Sequence, residues 1–168
     1  MRLYIVRHAI AVSHGAPNIE DDDRPLTEEG IQKMRQSAAG LRSLEFIPEH
    51  ILSSPLLRAK QTADILLEAF GKGIQIKTLP ALAPSGSRRD LYRTIASYEK
   101  QFTSLMLVGH QPSLGEIAGE IAWGSPEHYI ELKKGGACVI ELERLGDTPK
   151  GSLISLLTPS ILRRVALS

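Results

Sequence analysis

Short apolar runs, each ending at a turn-forming or charged residue, alternate along this chain with longer stretches in which apolar residues return every three or four positions. Leu3-Tyr4-Ile5-Val6 is the first run. Continuous apolarity over so few residues predicts a strand buried on both faces, as in a parallel sheet. His50-Ile51-Leu52-Ser53, Ile74 to Leu79 and Leu105-Met106-Leu107-Val108 predict three more strands, the last of them the most strand-like. Ala137–Leu142 and Ser152–Leu157 predict a final pair, separated by Gly146 to Gly151 and expected to form a hairpin or the edge of the sheet.

Between these runs the period changes to that of a helix. Ile31, Met34, Ala38, Leu41 and Leu44 predict a helix over Thr27–Leu44. Thr27 suits its N-cap, and Glu28 and Glu29 suit the positive end of its dipole. Ala59, Thr62, Ala63, Leu66 and Phe70 predict a second helix, with Ser54 as N-cap, Pro55 at the first helical position and Gly71 as terminator. Ser87-Arg88-Arg89-Asp90 has capping-box spacing, with Asp for the usual Glu, and predicts a helix to about Lys100. Ser113-Leu114-Gly115-Glu116 repeats that spacing ahead of a helix ending near Trp123-Gly124, with Trp123 expected in the core. Four strand–helix alternations with short loops predict an α/β three-layer sandwich: a mostly parallel central sheet with helices on both faces. No repeat, linker or low-complexity tract interrupts the 168 residues, so one domain over 1–168 is expected.

Composition narrows the class. Apolar residues make up 42% of the chain, as in ordinary globular proteins. Twenty basic residues oppose nineteen acidic ones, a net charge of +1 with no general attraction for nucleic acid or a membrane surface. Any anion recognition must therefore be local. The single cysteine, Cys138, lies in the apolar run Ala137-Cys138-Val139-Ile140 and reads as a buried structural thiol. No stretch approaches the roughly 20 apolar residues of a membrane span, and the first apolar run is too short for a signal peptide, so a cytoplasmic location is expected.

In sheets of this kind ligands bind where strands end and helices begin. Arg7-His8 follows the first strand, Arg58 falls in the first turn after the second, and His110 follows the fourth. Two arginines and two histidines on one sheet edge, beside helix N-termini and with no carboxylate among them, describe a pocket for a small multiply charged anion, most simply phosphate. Imidazole is a competent nucleophile at neutral pH, because its unperturbed pKa is about 6.5. It can take up a phosphoryl group as phosphohistidine. The arginines and a second, protonated histidine would then stabilise the developing charge without a metal. No cofactor is called for. His14, His50 and His128 show no metal-ligand spacing and read as surface or packing residues. Asp21-Asp22-Asp23 does not directly follow an apolar strand and reads as a solvated loop in preference to a magnesium site, with one aspartate able to orient Arg24. Arg88-Arg89 reads as a solvated helix start, with a place at the rim of the pocket as the alternative.

At these residues the chain resembles the histidine phosphatase superfamily, formerly grouped with the phosphoglycerate mutases. That family's first-strand signature, Arg-His-Gly, reads here Arg7-His8-Ala9. Ser53-Ser54-Pro55-Leu56-Leu57-Arg58-Ala59-Lys60-Gln61-Thr62 is similar to its second signature, and Val108-Gly109-His110 to its third. The resemblance implies a phosphoglycerate mutase-like fold, His8 as the phosphorylated nucleophile, and Arg7, Arg58 and His110 as phosphate ligands. Arg24-Pro25-Leu26-Thr27 followed by Gly30, and Leu79 to Gly86, resemble the short bacterial SixA-type phosphohistidine phosphatases, which implies that Arg24 also faces the phosphate. Many larger relatives place a proton-donating glutamate near this second loop. Here the stretch offers Ala81, and no acid until Asp90.

The expected activity is hydrolysis of a phosphoryl group, with phosphohistidine on a signalling protein as the favoured substrate. The alternatives are a small-molecule phosphatase acting on sugar phosphates or nucleotides, and a non-catalytic phosphate-binding or docking module. An intact Arg7, His8, Arg58 and His110 set argues against the last, since a binding module has no need of a nucleophile.

Overall fold

The apolar runs become the strands of one six-stranded sheet in the computed structural model, which describes residues 1–167. The strands are β1 (Arg2–Arg7), β2 (His50–Ser53), β3 (Gln75–Thr78), β4 (Ser104–Gly109), β5 (Ala137–Arg144) and β6 (Lys150–Leu157). Their order is β3-β2-β4-β1-β5-β6. The first four are parallel, β5 runs antiparallel to β1, and β6 returns antiparallel to β5 as a hairpin at the sheet's edge. Because β4 inserts between β1 and β2, three of the segments expected to carry chemistry leave the same edge of the sheet side by side. Arg7 pairs with Gly109, and Ser53 with Val108. The ladder extends one residue past each strand end: His8 N–H donates to Gly109 O at 2.9 Å, and Ser54 N–H to Val108 O at 2.9 Å.

Alternate residues of the strands feed two cores. Leu3, Ile5, Leu105, Leu107, Cys138 and Ile140 face one side, covered by α3 (Arg88–Ser97) and α4 (Ser113–Trp123). Tyr4, Val6, Met106, Val108, Ala137 and Val139 face the other, covered by α1 (Glu28–Ser43), α2 (Leu57–Phe70) and α5 (Pro159–Val165). Both faces of β1 and β4 are dry, which is why these strands read as unbroken apolar runs. The three-layer α/β sandwich expected from the alternation is the architecture found. Cys138 is fully buried, and burial pushes its thiol up to about 12.

Several local expectations need correction. Ser54 and Pro55 do not open α2; the helix begins at Leu57 behind Leu56, and Ser54 is free to serve the pocket described below. Ser87 does accept from Asp90 N–H, but α3 ends at Ser97, short of Lys100. Ser113 caps nothing at α4: Gln111 supplies the cap, its Oε1 accepting from Gly115 N–H at 2.8 Å, while Glu116 turns to Arg88. Trp123 is 55% exposed and lies outside both cores. α5, a helix not expected from the sequence, covers the end of α1 closely enough that a Cβ on Gly40 would sit 2.0 Å from Leu162 O.

Candidate active site

The site is built from the loops that leave the C-terminal ends of β1, β2 and β4. After β1 the chain must turn under α1. Thr27 N–H donates to Ile10 O at 3.0 Å, and a Cβ on Gly30 would fall 2.0 Å from that same carbonyl, so only glycine lets the first turn of α1 press onto the loop behind His8. Thr62 of α2 ties the loop from the other side, accepting from Ala9 N–H at 3.0 Å and donating to Arg58 O at 2.7 Å. Gln61 Oε1 accepts from Leu26 N–H at 2.7 Å and holds the segment that carries Arg24.

His8 and His110 are both buried, and their rings lie 5.0 Å apart. His8 Nδ1 lies 2.8 Å from Ala9 O. A carbonyl can only accept, so Nδ1 carries the proton and Nε2 keeps its lone pair. Burial lowers the His8 pKa to about 3, with further lowering from His110, Arg58 and Arg7, which outweighs the Ala9 hydrogen bond. The imidazole is therefore neutral at pH 7. His110 is lowered to about 4, by burial first and then by Arg58. Without an anion beside it the ring is therefore neutral; a bound dianion would supply opposite charge and raise its pKa toward the protonated form expected from the sequence. Neutral His110 is still a donor. Ser54 Oγ accepts from Leu56 N–H at 3.3 Å and lies 2.8 Å from His110 Nε2; its hydroxyl proton finds no other acceptor among the described residues, which directs it to Nε2. The ring proton then sits on Nδ1, which is buried with no partner. Ser54 is thus a pocket residue that the helix-start pattern concealed.

The arginines show the same incompleteness. Arg7 Nη1 donates to Leu132 O at 2.8 Å, and Arg58 Nη1 to Asp21 O at 2.6 Å, yet Nε of both is buried without an acceptor. Three orphan donors, on Arg7, Arg58 and His110, belong to side chains whose charges act on His8 or His110. Buried donors left unmatched cost roughly 1–3 kcal/mol each. A tetrahedral oxyanion offers the lone pairs they lack.

Asp21 is the aspartate that orients Arg24, and it also braces Arg58. It opens a 3₁₀ turn over Asp21–Asp23 and is less a solvated loop residue than a brace. Its Oδ1 accepts from Arg24 Nε at 2.8 Å, its Oδ2 lies 3.1 Å from Arg58 Nη2, and His14 Nδ1 lies 2.8 Å from Oδ1. The His14 hydrogen bond, then Arg58 and Arg24, lower its pKa to about 2. Arg24 also donates from Nη1 to Val12 O at 2.7 Å and is felt electrostatically at Arg58 and His110, so the structure brings it to the pocket. The remaining candidates lie elsewhere. His50 is a packing residue stacked on Phe102 with centroids 5.1 Å apart, and His128 is exposed. Arg88 is neither free nor at the phosphate: it pairs with Glu116 at 2.7 Å and Glu120 at 3.1 Å. Among the described residues no three His, Cys, Asp or Glu side chains gather as metal ligands do, and no helix is long and apolar enough to cross a membrane.

Known proteins share this framework. The chain is 44% identical over 137 residues to an uncharacterised protein of Picosynechococcus, covering 81% of this chain and 82% of that one. It is 29% identical over 129 residues to the phosphohistidine phosphatase SixA of Escherichia coli, covering 74% and 76%. The solved structure of the protein histidine phosphatase SixA complexed with tungstate superposes with a TM-score of 0.83 at 24% identity, covering 96% of this chain and 99% of that one. The sequence profile of the histidine phosphatase superfamily (branch 1) matches residues 3–85, which carry Arg7, His8, Arg24 and Arg58. With the phosphoglycerate mutase-like fold and SixA homologues in both sequence and structure, this chain belongs to the histidine phosphatase superfamily.

Proposed function

We propose that residues 1–168 form a single histidine phosphatase domain that removes phosphoryl groups from histidine on cytoplasmic signalling proteins, without a metal. His8 Nε2 attacks phosphorus in line. The new N–P bond forms as the bond to the substrate imidazole breaks, and that imidazole leaves with a proton on its freed nitrogen. Water then attacks phospho-His8, releasing inorganic phosphate and restoring the free imidazole. Arg7, Arg58, Arg24 and the Nδ1–H of His110 hold the three equatorial oxygens, which carry the charge in a loose phosphoryl-transfer transition state.

One observation carries this reading: the Nδ1–H···O contact to Ala9 leaves a neutral, correctly protonated His8 with its Nε2 lone pair available. His110 is held neutral too; what sets His8 apart is the backbone carbonyl that fixes its proton on Nδ1 and leaves Nε2 as the free lone pair. The SixA homologues favour phosphohistidine over the small-molecule alternative. The test is chemical trapping and a substrate comparison. Acid-labile, alkali-stable phosphate should appear on the quenched wild-type protein and not on His8→Ala, and kcat/KM should be highest for phosphohistidine peptides among phosphohistidine, phosphoserine, phosphotyrosine and sugar-phosphate substrates. A His8→Ala variant with near-normal turnover would overturn the mechanism, and a preference for a sugar phosphate would overturn the substrate.

A further inference from the structure

A groove of about 660 Å³ lies beside the phosphate pocket, between α1, α5 and the segment that leads into β5. Arg7 is shared between the two. Its lining includes the apolar Ile10 and Met34 and a set of basic side chains. Lys33 of α1, Lys133 and Lys134 before β5, and Arg163 of α5 line it, with Glu131 the one carboxylate in that lining. Lys33 is paired with Glu29 and Lys133 with Glu131. Lys134 and Arg163 have no ion-pair partner among the described residues. In a chain of net charge +1 this is a local concentration of positive charge.

We propose that the groove docks an acidic segment of the phosphorylated protein, next to the residue whose phosphoryl group enters the His8 pocket. This rests on the phosphoprotein reading above. A compact oxyanion is best held by cations converging on one point, as Arg7 and Arg58 do. The cations here stand on three separate elements, with apolar side chains in the same lining. That spacing suits an extended chain with carboxylates along its length and apolar stems between them. Docking through Arg7's neighbours would orient the phosphorylated side chain as well as add affinity.

The test uses the whole chain and two kinds of measurement. The first is calorimetric binding of an unphosphorylated Glu-rich hexapeptide, with inorganic phosphate as the comparison ligand. The peptide should bind wild type, weaken as salt rises, and bind Lys134→Glu/Arg163→Glu at least roughly tenfold less well, since each of these charges contributes modestly and reversal counts twice. Phosphate affinity should change far less. The second is kcat/KM for two phosphohistidine peptides, one with glutamates flanking the phosphorylated residue and one with serines. The acidic peptide should be preferred through a lower KM, and the charge-reversed variant should lose that preference. Lys134→Gln/Arg163→Gln guards against misfolding and should give an intermediate loss. Equal peptide binding by wild type and both variants would overturn the proposal, as would an equal KM for the two peptides. Peptide binding without phosphohistidine turnover would instead overturn the substrate reading and leave the groove standing.

Discussion

Asp21→Asn separates positioning from charge. The carboxylate braces Arg24 and Arg58 at 2.8 and 3.1 Å, while the Arg58 Nη1 contact goes to the Asp21 backbone carbonyl and survives the substitution. Two effects oppose one another. Removing a negative charge beside two arginines raises the positive field at the phosphate and should tighten ground-state binding. Removing the brace loosens the Arg58 and Arg24 forks. Charge-assisted hydrogen bonds contribute about 1.5–3 kcal/mol each when dry. The Asp21 side chain is 38% exposed, so solvent screening reduces this to about 1 kcal/mol in stability. A fall in Tm of roughly 2–4 °C follows for a chain of this size. For turnover, loss of a whole transition-state donor costs about 10²–10³ in kcat. Arg58 is displaced here, not deleted, so kcat should fall about tenfold, and somewhat more for Asp21→Ala. Positioning therefore dominates kcat and the field dominates binding: kcat drops while the competitive Ki for inorganic phosphate stays level or tightens. Steady-state kinetics with product inhibition read both. A kcat within twofold of wild type, or a Ki that weakens in step with kcat, would refute the brace.

Arg58→Lys should lose about 10²-fold in kcat/KM, because an ammonium cannot replace the planar fork that grips both the backbone carbonyl and the carboxylate of Asp21. Activity should survive EDTA and dialysis; loss restored by magnesium, manganese or zinc would contradict metal independence. The two pocket histidines should also set an acid limit on stability. Folded, they are lowered to about 3 and about 4, whereas unfolded they return to about 6.5, so the unfolded state binds more protons in between. Stability is then full above about pH 6.5 and is lost as pH falls, by up to about 2 kcal/mol per histidine at pH 5. Denaturant midpoints measured from pH 7 to 5 should show this slope, and His8→Asn/His110→Asn should flatten it.

Much of this was legible in the chain because its signals were local or periodic. Leu3–Val6 and Leu105–Val108 face dry cores on both sides, and burial on both faces demands an apolar residue at every position. Arg7, His8, Arg58 and His110 were legible because each closely follows a strand, and the insertion of β4 between β1 and β2 brings those ends together. What escaped depends on partners distant in sequence. The chain allows that one of three like aspartates orients Arg24, as Asp21 does, but not that it also reaches Arg58, 37 positions away. Ser54 carries a helix-start pattern with Pro55, but the His110 imidazole, 56 positions on, competes for its hydroxyl. Ser113 lost its capping role to Gln111, whose amide also donates to Ile130 O at 2.9 Å. A one-dimensional pattern cannot rank such competitors, since the winner is set by which chain segment folds back.

The absent glutamate of the larger relatives has a physical meaning in this pocket. Ala81 occupies that region, within a short 3₁₀ turn over Pro80–Leu82. Among the described residues Asp21 is the carboxylate whose charge reaches His110, and none acts on His8. With a pKa near 2 and arginines on both oxygens, Asp21 is ionised throughout the neutral range and has no proton to give. The proton donor left in the pocket is His110 Nδ1, on a ring whose pKa of about 4 leaves little conjugate acid in the neutral range even where a phosphoryl dianion raises it part of the way. An alkoxide leaving group needs a proton in the transition state and would wait on that scarce acid. A substrate imidazole, with a pKa of about 6.5, can bring its own proton in from solvent. On the proposed mechanism, the same desolvation that leaves His8 neutral with a free lone pair denies the pocket a strong acid. Phosphorus–nitrogen cleavage is the chemistry in which the first property is needed and the second is not missed. The advantage of phosphohistidine over phosphoserine should accordingly persist from pH 6 to 8. It should shrink for an aryl phosphate, whose leaving group is stable without a proton; an alkyl ester turned over as fast as phosphohistidine would mean that the pocket holds an acid after all.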